Sequence, residues 1–193
     1  MRNYDAHDIQ AMVEPFLPKF QYLLVIHSNF RPKDKSQKTI EFQQLKRSAY
    51  LEESLKDVSK SLFKSDPMLP FKNRYKYAPY RFTTVEGVDP LLSQEKTLHF
   101  NMLIGNLPIH YSKEELLATL LKTWNGRFKQ QKDIWIRTPQ DLVDLHGGVD
   151  TPISVFNRYI LKDAYKEKSN AWKVDGVWDV RNTWLPHEAI SLN

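Results

Sequence analysis

The chain has 193 residues, of which 41% are hydrophobic and 26% charged, so a folded domain is expected rather than a disordered segment. It carries a net charge of +5 and no cysteine, which excludes disulfides, thiolate zinc sites and cysteine nucleophiles. It has no apolar run of about 18 residues and no signal peptide. We therefore expect an intracellular protein, in the cytoplasm of a bacterium or inside a host cell, that is neither secreted nor bound to a membrane.

The first half of the chain predicts a strand, a long helix and a further pair of strands. Residues 20–30 are rich in aromatic and branched side chains and lie between two prolines, which indicates a central strand. Apolar residues recur at three- and four-residue steps from 40 to 64, which is typical of an amphipathic helix. Residues 80–88 and 96–106 predict two strands that could pair as a hairpin with a long loop.

The second half predicts helices around one short strand. Ser112 is followed three residues later by Glu115, a capping box that begins the clearest helix of the chain. The alternating stretch 132–139 predicts a short strand, and 138–148 predicts one or two helical turns. A last helix is predicted from 151 to about 167, with a threonine as its N-cap and a proline in the first helical position.

The order of these elements predicts the α+β class, with a central antiparallel sheet flanked by helices. We expect a single domain over residues 1–193, with 168–193 as a Trp-rich C-terminal extension. Its tryptophans, Trp172, Trp178 and Trp184, are interpreted as packing anchors. Neither GxxxxGK[ST] nor GxGxxG occurs, so the sequence encodes no nucleotide-binding ATPase of those kinds.

The strand predicted at 96–106 contains two polar residues with period two, His99 and Asn101, which places both on one face. If this strand pairs antiparallel with the preceding one, Glu86 lies on the same face. One carboxylate, one imidazole and one amide oxygen then converge, a set that suits magnesium or manganese (Mg²⁺ or Mn²⁺). The alternative is that His99 and Asn101 face solvent and that Glu86 is a turn residue.

Two further residues that suggest chemistry lie on the last predicted helix. Tyr159 and Lys162 are three residues apart and therefore neighbours on one helical face. A nearby ammonium lowers the pKa of a tyrosine from its ordinary value of about 10, or stabilises the phenolate as it forms. The alternative is a half-buried tyrosine beside a solvated lysine.

Basic and aromatic residues are mixed in the stretch FKNRYKY, residues 71–77. Arg74, Tyr75 and Lys76 there suit contacts to single-stranded DNA through phosphates and stacked bases. The alternative is an ordinary polar face. Two cations next to the predicted helical pair, Arg158 and Lys166, are assigned to the same DNA-binding group.

Taken in order, these motifs resemble those of the rolling-circle replication initiators of the HUH endonuclease superfamily. FQYLLVIHSN resembles the hydrophobic strand of the first motif, HFN at 99–101 occupies the place of the His-hydrophobic-His motif, and YILK at 159–162 matches YxxK. In that family a glutamate ahead of the histidine motif, here Glu86, is a further metal ligand. This sequence departs from the family pattern at Asn101, which replaces the second histidine.

The resemblance implies a metal-dependent single-strand DNA endonuclease that nicks and joins a strand and initiates rolling-circle replication through a covalent 5′-phosphotyrosine. Tyr159 would be the nucleophile, Lys162 would assist it, and Mg²⁺ or Mn²⁺ would bind Glu86, His99 and Asn101. The substrate would be single-stranded DNA at the replication origin of a plasmid or virus. A separate helicase and polymerase would act with it.

Three alternatives stay open. The first is a catalytically degenerate DNA-binding protein or repressor of the same fold, because Asn101 departs from the motif. The second is a single-strand transposase of the same superfamily. The third is an interaction domain without a nucleic acid partner. The sequence does not indicate an oligomeric state.

Overall fold

In the computed structural model of the protein, which describes residues 6–88, 96–145, 148 and 178–186, four strands form one antiparallel sheet. The strands are β1 (Phe20–His27), β2 (Tyr80–Glu86), β3 (His99–Gly105) and β4 (Ile134–Arg137). Their order across the sheet is β2-β3-β1-β4, so β3 and β1 are central. This confirms the predicted α+β class with a central antiparallel sheet flanked by helices. It also confirms the predicted pairing of β2 with β3.

Within the same residues the helices are α1 (Ala6–Val13), α2 (Gln37–Ser61), α3 (Leu69–Lys72), α4 (Arg74–Tyr77), α5 (Lys113–Leu121) and α6 (Pro139–Leu145). A 3-10 helix follows α1 at Glu14–Lys19, another lies at Val180–Asn182, and a π-helical turn at Lys122–Arg127 extends α5. The predicted capping box of α5 is confirmed, because Ser112 and Glu115 exchange both hydrogen bonds. The helix predicted from 151 to 167 lies outside the described residues. None of the described helices has the length and apolar character needed to cross a membrane.

Helices cover both faces of the sheet, and each face has its own apolar core. On one face, Phe100 and Met102 of β3 belong to a cluster with α2 and α5. On the opposite face, Leu103 belongs to a cluster with α1, the first 3-10 helix and α6. All residues of β3 are therefore buried. The alternation of polar and apolar residues along β3 therefore separates two covered faces of the sheet, and neither face of this strand is open to solvent.

The apolar face of α2 is narrower than its sequence pattern indicates. Leu51, Leu55 and Val58 are buried in the core. Phe42 and Leu45, at apolar positions of the same pattern, are 62% and 63% exposed. The N-terminal part of α2 therefore presents two large apolar side chains to solvent.

The segment 178–186 lies along the outer edge of β2. Isolated antiparallel bridges join Arg81 to Trp184 and Thr84 to Trp178. Both indoles pack against aromatic side chains of β2. The interpretation of these two tryptophans as packing anchors is confirmed, and the third predicted anchor, Trp172, lies outside the described residues.

A buried polar network fastens this segment to α2. The hydroxyl of Ser48 lies 2.8 and 2.9 Å from the two carboxylate oxygens of Asp179. The amide of Asn182 donates to Asp179 Oδ2 at 2.7 Å and to the Ser48 carbonyl at 3.0 Å. Burial raises the pKa of Asp179 above its ordinary value of 3.8, although the hydrogen bonds from Asn182 and Ser48 act in the opposite direction.

Candidate metal centre and cleft

The three residues predicted to bind a metal meet where β2 ends and β3 begins. Glu86, the last residue of β2, is the cross-strand partner of His99, the first residue of β3. Glu86 Oε2 lies 3.1 Å from His99 Nε2, and Glu86 Oε1 accepts a hydrogen bond from the amide nitrogen of Asn101. The exposed fractions of these residues are 5%, 6% and 1%. The alternative in which His99 and Asn101 are solvent-facing strand residues therefore does not hold.

A glycine directly after Glu86 holds the two strand ends together. Gly87 has φ +75°, a conformation that favours glycine, and a Cβ at this position would lie 2.6 Å from the carbonyl oxygen of Thr97. The same carbonyl oxygen lies 2.9 Å from His99 Nδ1. The close approach of Gly87 to Thr97 therefore fixes both the end of Glu86 and the ring of His99.

The hydrogen bond at Nδ1 determines what the other nitrogen of His99 can do. A carbonyl oxygen only accepts, so Nδ1 carries a proton. In a neutral ring, Nε2 then presents a lone pair to the carboxylate of Glu86, 3.1 Å away. Two acceptors at this distance repel each other unless a proton or a cation lies between them. Either one proton shared by the two groups or one metal ion bound by both would therefore satisfy the pair.

Two buried oxygen atoms beside this pair have no hydrogen-bond partner within the part of the chain that the structure describes. They are Asn101 Oδ1 and Thr84 Oγ1. Thr84 and Asn101 are cross-strand partners, so both lie on the face that carries Glu86. A buried unpaired oxygen costs roughly 1–3 kcal/mol, which indicates a group that is completed by a partner outside the described residues.

The chemical types of these donor atoms suit Mg²⁺ or Mn²⁺, provided that the side-chain amide of Asn101 is turned. Hard divalent cations prefer carboxylate and amide oxygens and accept an imidazole. As placed, Asn101 turns its NH₂ group to Glu86, and a half-turn of the amide exchanges the nitrogen with the unpaired oxygen. Among the described residues, no three His, Cys, Asp or Glu side chains form a metal-binding group. Metal binding at this place therefore depends on the amide oxygen of Asn101.

A second histidine adjoins the centre, and it is not among the predicted site residues. His27, the last residue of β1, is the cross-strand partner of His99, and the two rings stack with centroids 5.0 Å apart. Burial, and then the charge of His99, lower the pKa of His27, while Asp133 and Glu86 oppose this effect. His27 ends the hydrophobic strand of the first motif. His27 lies beside the centre because of the register of β1 against β3, and the sequence pattern does not specify this register.

An open cleft of about 440 Å³ lies above these side chains. Its rim includes Arg31, Lys96 and Trp135. Both cations are exposed, and neither forms an ion pair with a carboxylate of the described residues. The indole of Trp135 is 55% exposed. The cleft thus combines a buried acidic and imidazole centre with a cationic and aromatic rim.

Of the residues predicted to bind DNA, the three that the structure describes do not line this cleft. Arg74, Tyr75 and Lys76 form α4, which precedes the first residue of β2, whereas Glu86 is the last residue of β2. Seven strand residues span about 20 Å. Tyr75 is 57% exposed, and the guanidinium of Arg74 lies over an indole of the C-terminal segment. The structure therefore places this group at the opposite end of the sheet from the candidate metal centre.

The other predicted site residues lie outside the part of the chain that the structure describes: Tyr159, Lys162, Arg158 and Lys166. The described residues on either side of them are attached to the same sheet. On the N-terminal side, α6 packs through Leu142 and Val143 on the face that carries the candidate centre. On the C-terminal side, Trp178 bridges to Thr84 at the edge of β2. The sheet that holds the candidate metal residues therefore anchors the chain before and after the YxxK motif.

Comparison of the chain with protein-family models, with curated proteins and with solved structures finds no match. The function of the protein is therefore inferred from the motifs and the geometry of this chain.

Proposed function

We propose that the protein is an endonuclease that nicks and rejoins single-stranded DNA and initiates rolling-circle replication. The observation that carries the proposal is the convergence of Glu86, His99 and Asn101 on two adjacent strands, with an imidazole nitrogen turned toward a carboxylate. The YxxK motif, Tyr159 to Lys162, follows in the order found in the HUH initiators. It supplies a nucleophile and a cation.

In the proposed reaction, the phenolic oxygen of Tyr159 attacks the phosphorus of a backbone phosphodiester. A bond forms between phosphorus and the tyrosine oxygen, and the bond from phosphorus to the 3′ oxygen breaks. The phenolic proton passes to water, and the departing 3′ oxygen takes up a proton. The products are a 5′-phosphotyrosine and a free 3′ hydroxyl, and the reverse reaction reseals the strand without ATP.

The remaining residues position and stabilise the reacting groups. The ammonium of Lys162 stabilises the negative charge that develops on the phosphate and the phenolic oxygen. Glu86, His99 and Asn101 would hold Mg²⁺ or Mn²⁺, which when bound neutralises charge on the scissile phosphate. The carbonyl of Thr97 keeps the proton of His99 on Nδ1 and so leaves Nε2 available as a ligand. A helicase and a polymerase would act as separate proteins.

A second candidate function is a DNA-binding protein or repressor of the same fold that does not cut. One observation favours it. Asn101 donates a hydrogen bond to Glu86, and a protonated His99 would donate another, so the three side chains can satisfy the carboxylate without any metal. In this case the cationic rim of the cleft would bind DNA phosphates, and Tyr159 would have no chemical role.

The experiment that separates the two functions uses single-stranded oligonucleotides tiled across the DNA that flanks the gene. Each carries a 3′ label, because the fragment that remains on the tyrosine retains the 3′ end. The protein is incubated with an oligonucleotide and Mn²⁺ and then run on a denaturing gel. We expect a labelled protein band that is lost in Tyr159→Phe. It should be retained in Tyr22→Phe, a matched change at a tyrosine of β1 that packs on the opposite face of the sheet.

Binding of an oligonucleotide with no labelled protein band in either Mg²⁺ or Mn²⁺ would reject the endonuclease and favour the repressor. A band that persists in Tyr159→Phe would reject Tyr159 as the nucleophile.

A further inference from the structure

Trp135 is a large aromatic side chain at an exposed position of β4, where buried and exposed residues alternate, at the edge of the candidate site. Its neighbours Ile134 and Ile136 are 8% and 5% exposed, whereas the indole itself is 55% exposed. Trp135 is the cross-strand partner of Val25, which is the partner of Asn101. The indole therefore lies on the face of the sheet that carries the metal residues, two strands from Asn101, at about 10 Å.

The surroundings of this indole suit a negatively charged chain that carries flat apolar groups. Arg31 and Lys96 line the same cleft, and neither is ion-paired with another described residue. A second wall residue, Gln131, brings an amide that can donate and accept hydrogen bonds at a base edge. Two cations for phosphates, an aromatic face and an amide are the elements of a binding site for single-stranded nucleic acid.

We infer that Trp135 is the platform on which one nucleobase of the bound DNA strand stacks, beside the phosphate that lies over Glu86 and His99. This inference rests on the proposed function and identifies how that site holds its substrate. Arg31 and Lys96 pair with backbone phosphates on either side of the stacked nucleotide. An acidic peptide would satisfy the cations but would leave the indole face exposed and would bring further carboxylates toward Glu86.

The test measures the affinity of the full chain for a fluorescein-labelled single-stranded oligonucleotide by anisotropy, with EDTA present to prevent cutting. Trp135→Leu keeps apolar bulk but removes the aromatic face, whereas Trp135→Phe keeps a ring. We expect Trp135→Leu to bind at least about five-fold more weakly and Trp135→Phe to bind close to the wild type. The matched control is Ile109→Ala, which changes a fully exposed apolar side chain that does not line the cleft.

A second measurement distinguishes the loss of base stacking from a general loss of binding caused by altered folding of the variant. The same oligonucleotide is prepared with abasic positions, which keep the phosphates and remove the bases. Loss of the bases should weaken binding to the wild type by more than it weakens binding to Trp135→Leu. Equal losses in the two proteins would overturn the inference, as would wild-type affinity in Trp135→Leu.

The outcomes also distinguish this inference from the proposed function. A covalent band through Tyr159 together with unchanged affinity in Trp135→Leu rejects the stacking platform and leaves the endonuclease. Weakened binding in Trp135→Leu with no covalent band on any oligonucleotide supports the platform in a DNA-binding protein that does not cut. Failure of the wild type to bind any single-stranded oligonucleotide rejects both.

Discussion

The imidazole of His27 stacks on the imidazole of His99, with ring planes inclined by 21° and centroids 5.0 Å apart. His99 lies on the central strand β3, with Glu86 across from it on β2 and His27 across from it on β1. The proposed ligand is therefore held from both sides, by a carboxylate on one strand and by an aromatic ring on the other. We expect His27 to act on the centre through the orientation of His99.

We predict that His27→Ala raises the Mn²⁺ concentration required for adduct formation and that His27→Phe leaves this requirement close to that of the wild type. Phenylalanine keeps the stacked ring, whereas alanine frees the ring of His99 to rotate. Removal of a group that orients a metal ligand typically costs about 10- to 100-fold in affinity. The measurement is the Mn²⁺ concentration that gives a half-maximal rate of covalent adduct formation. Equal Mn²⁺ requirements in both variants and the wild type would contradict the positioning role.

Asn101 is the proposed ligand on which metal binding at the candidate centre most depends. We predict that Asn101→Ala reduces the rate of adduct formation at a fixed Mn²⁺ concentration by at least about ten-fold, because it removes the unpaired oxygen. Asn101→Asp keeps an oxygen at the same place and should retain more activity than Asn101→Ala. Both rates are compared with the affinity of each variant for single-stranded DNA in EDTA, which should change little. If Asn101→Ala cuts DNA as fast as the wild type, Asn101 is not a ligand.

The distance of α4 from the candidate centre leads to a prediction that depends on substrate length. Removal of two cations in the double variant Arg74→Ala and Lys76→Ala should weaken binding of long strands and leave short strands that fill only the cleft unaffected. The slope of log affinity against log salt should decrease by about 1.4 for the long strand, because each phosphate contact to a single strand contributes about 0.7. Salt titrations at two oligonucleotide lengths provide the measurement. An equal loss at both lengths would show that α4 acts within the cleft.

Several of these features could be predicted from the sequence because they depend on neighbours in the chain. The capping box needs only Ser112 and Glu115 three residues apart, and it occurs as predicted. The convergence of Glu86 and His99 needs only two consecutive strands to pair without a register shift, and they do so. Local spacing and one antiparallel pairing were therefore enough to predict that Glu86, His99 and Asn101 lie together.

The remainder depends on contacts between distant parts of the chain. His27 and Trp135 reach the cleft because β1 pairs with both β3 and β4 in particular registers. A shift of one residue would turn both side chains to the other face, and periodicity does not specify the register. The exposure of Phe42 likewise depends on which elements pack against α2. The spacing of apolar residues along α2 does not reveal this packing.

Gly105 should be the glycine that is least tolerant of substitution in the sheet. A Cβ there would lie 2.2 Å from the carbonyl oxygen of Lys19 and 2.9 Å from the Cα of Phe20. Since backbone atoms cannot give way as a side-chain end can, we expect Gly105→Ala to lower the free energy of unfolding by about 1–3 kcal/mol or more. Gly126→Ala is the control, because its nearest contact is at 3.8 Å. Helix propensity then favours a gain of up to about 1 kcal/mol. Urea unfolding measures both changes, and equal stabilities would contradict the close packing of Gly105.

The buried carboxyl of Asp179 leads to a prediction about pH. Its pKa is raised above the ordinary 3.8, so the native state binds this proton more tightly than the unfolded chain does. As pH rises from 3.8 through the raised pKa, this group therefore lowers the free energy of unfolding, and above that pKa the loss is constant. Subtracting the stability of Asp179→Asn at each pH isolates this effect, because carboxylates with lowered pKa values, such as Asp141, are present in both proteins. A stability difference that does not change with pH would contradict the prediction.

The bridges from the segment 178–186 to β2 also affect how copies of the protein meet one another. An outer strand with unpaired backbone groups is a template for another chain, and β2 would be such a strand if this segment were removed. At the other edge, β4 is only four residues long and ends in Arg137, two features that discourage strand addition. The segment 178–186 therefore shields the edge of β2 from edge-to-edge aggregation, and its loss should lower the solubility of the protein.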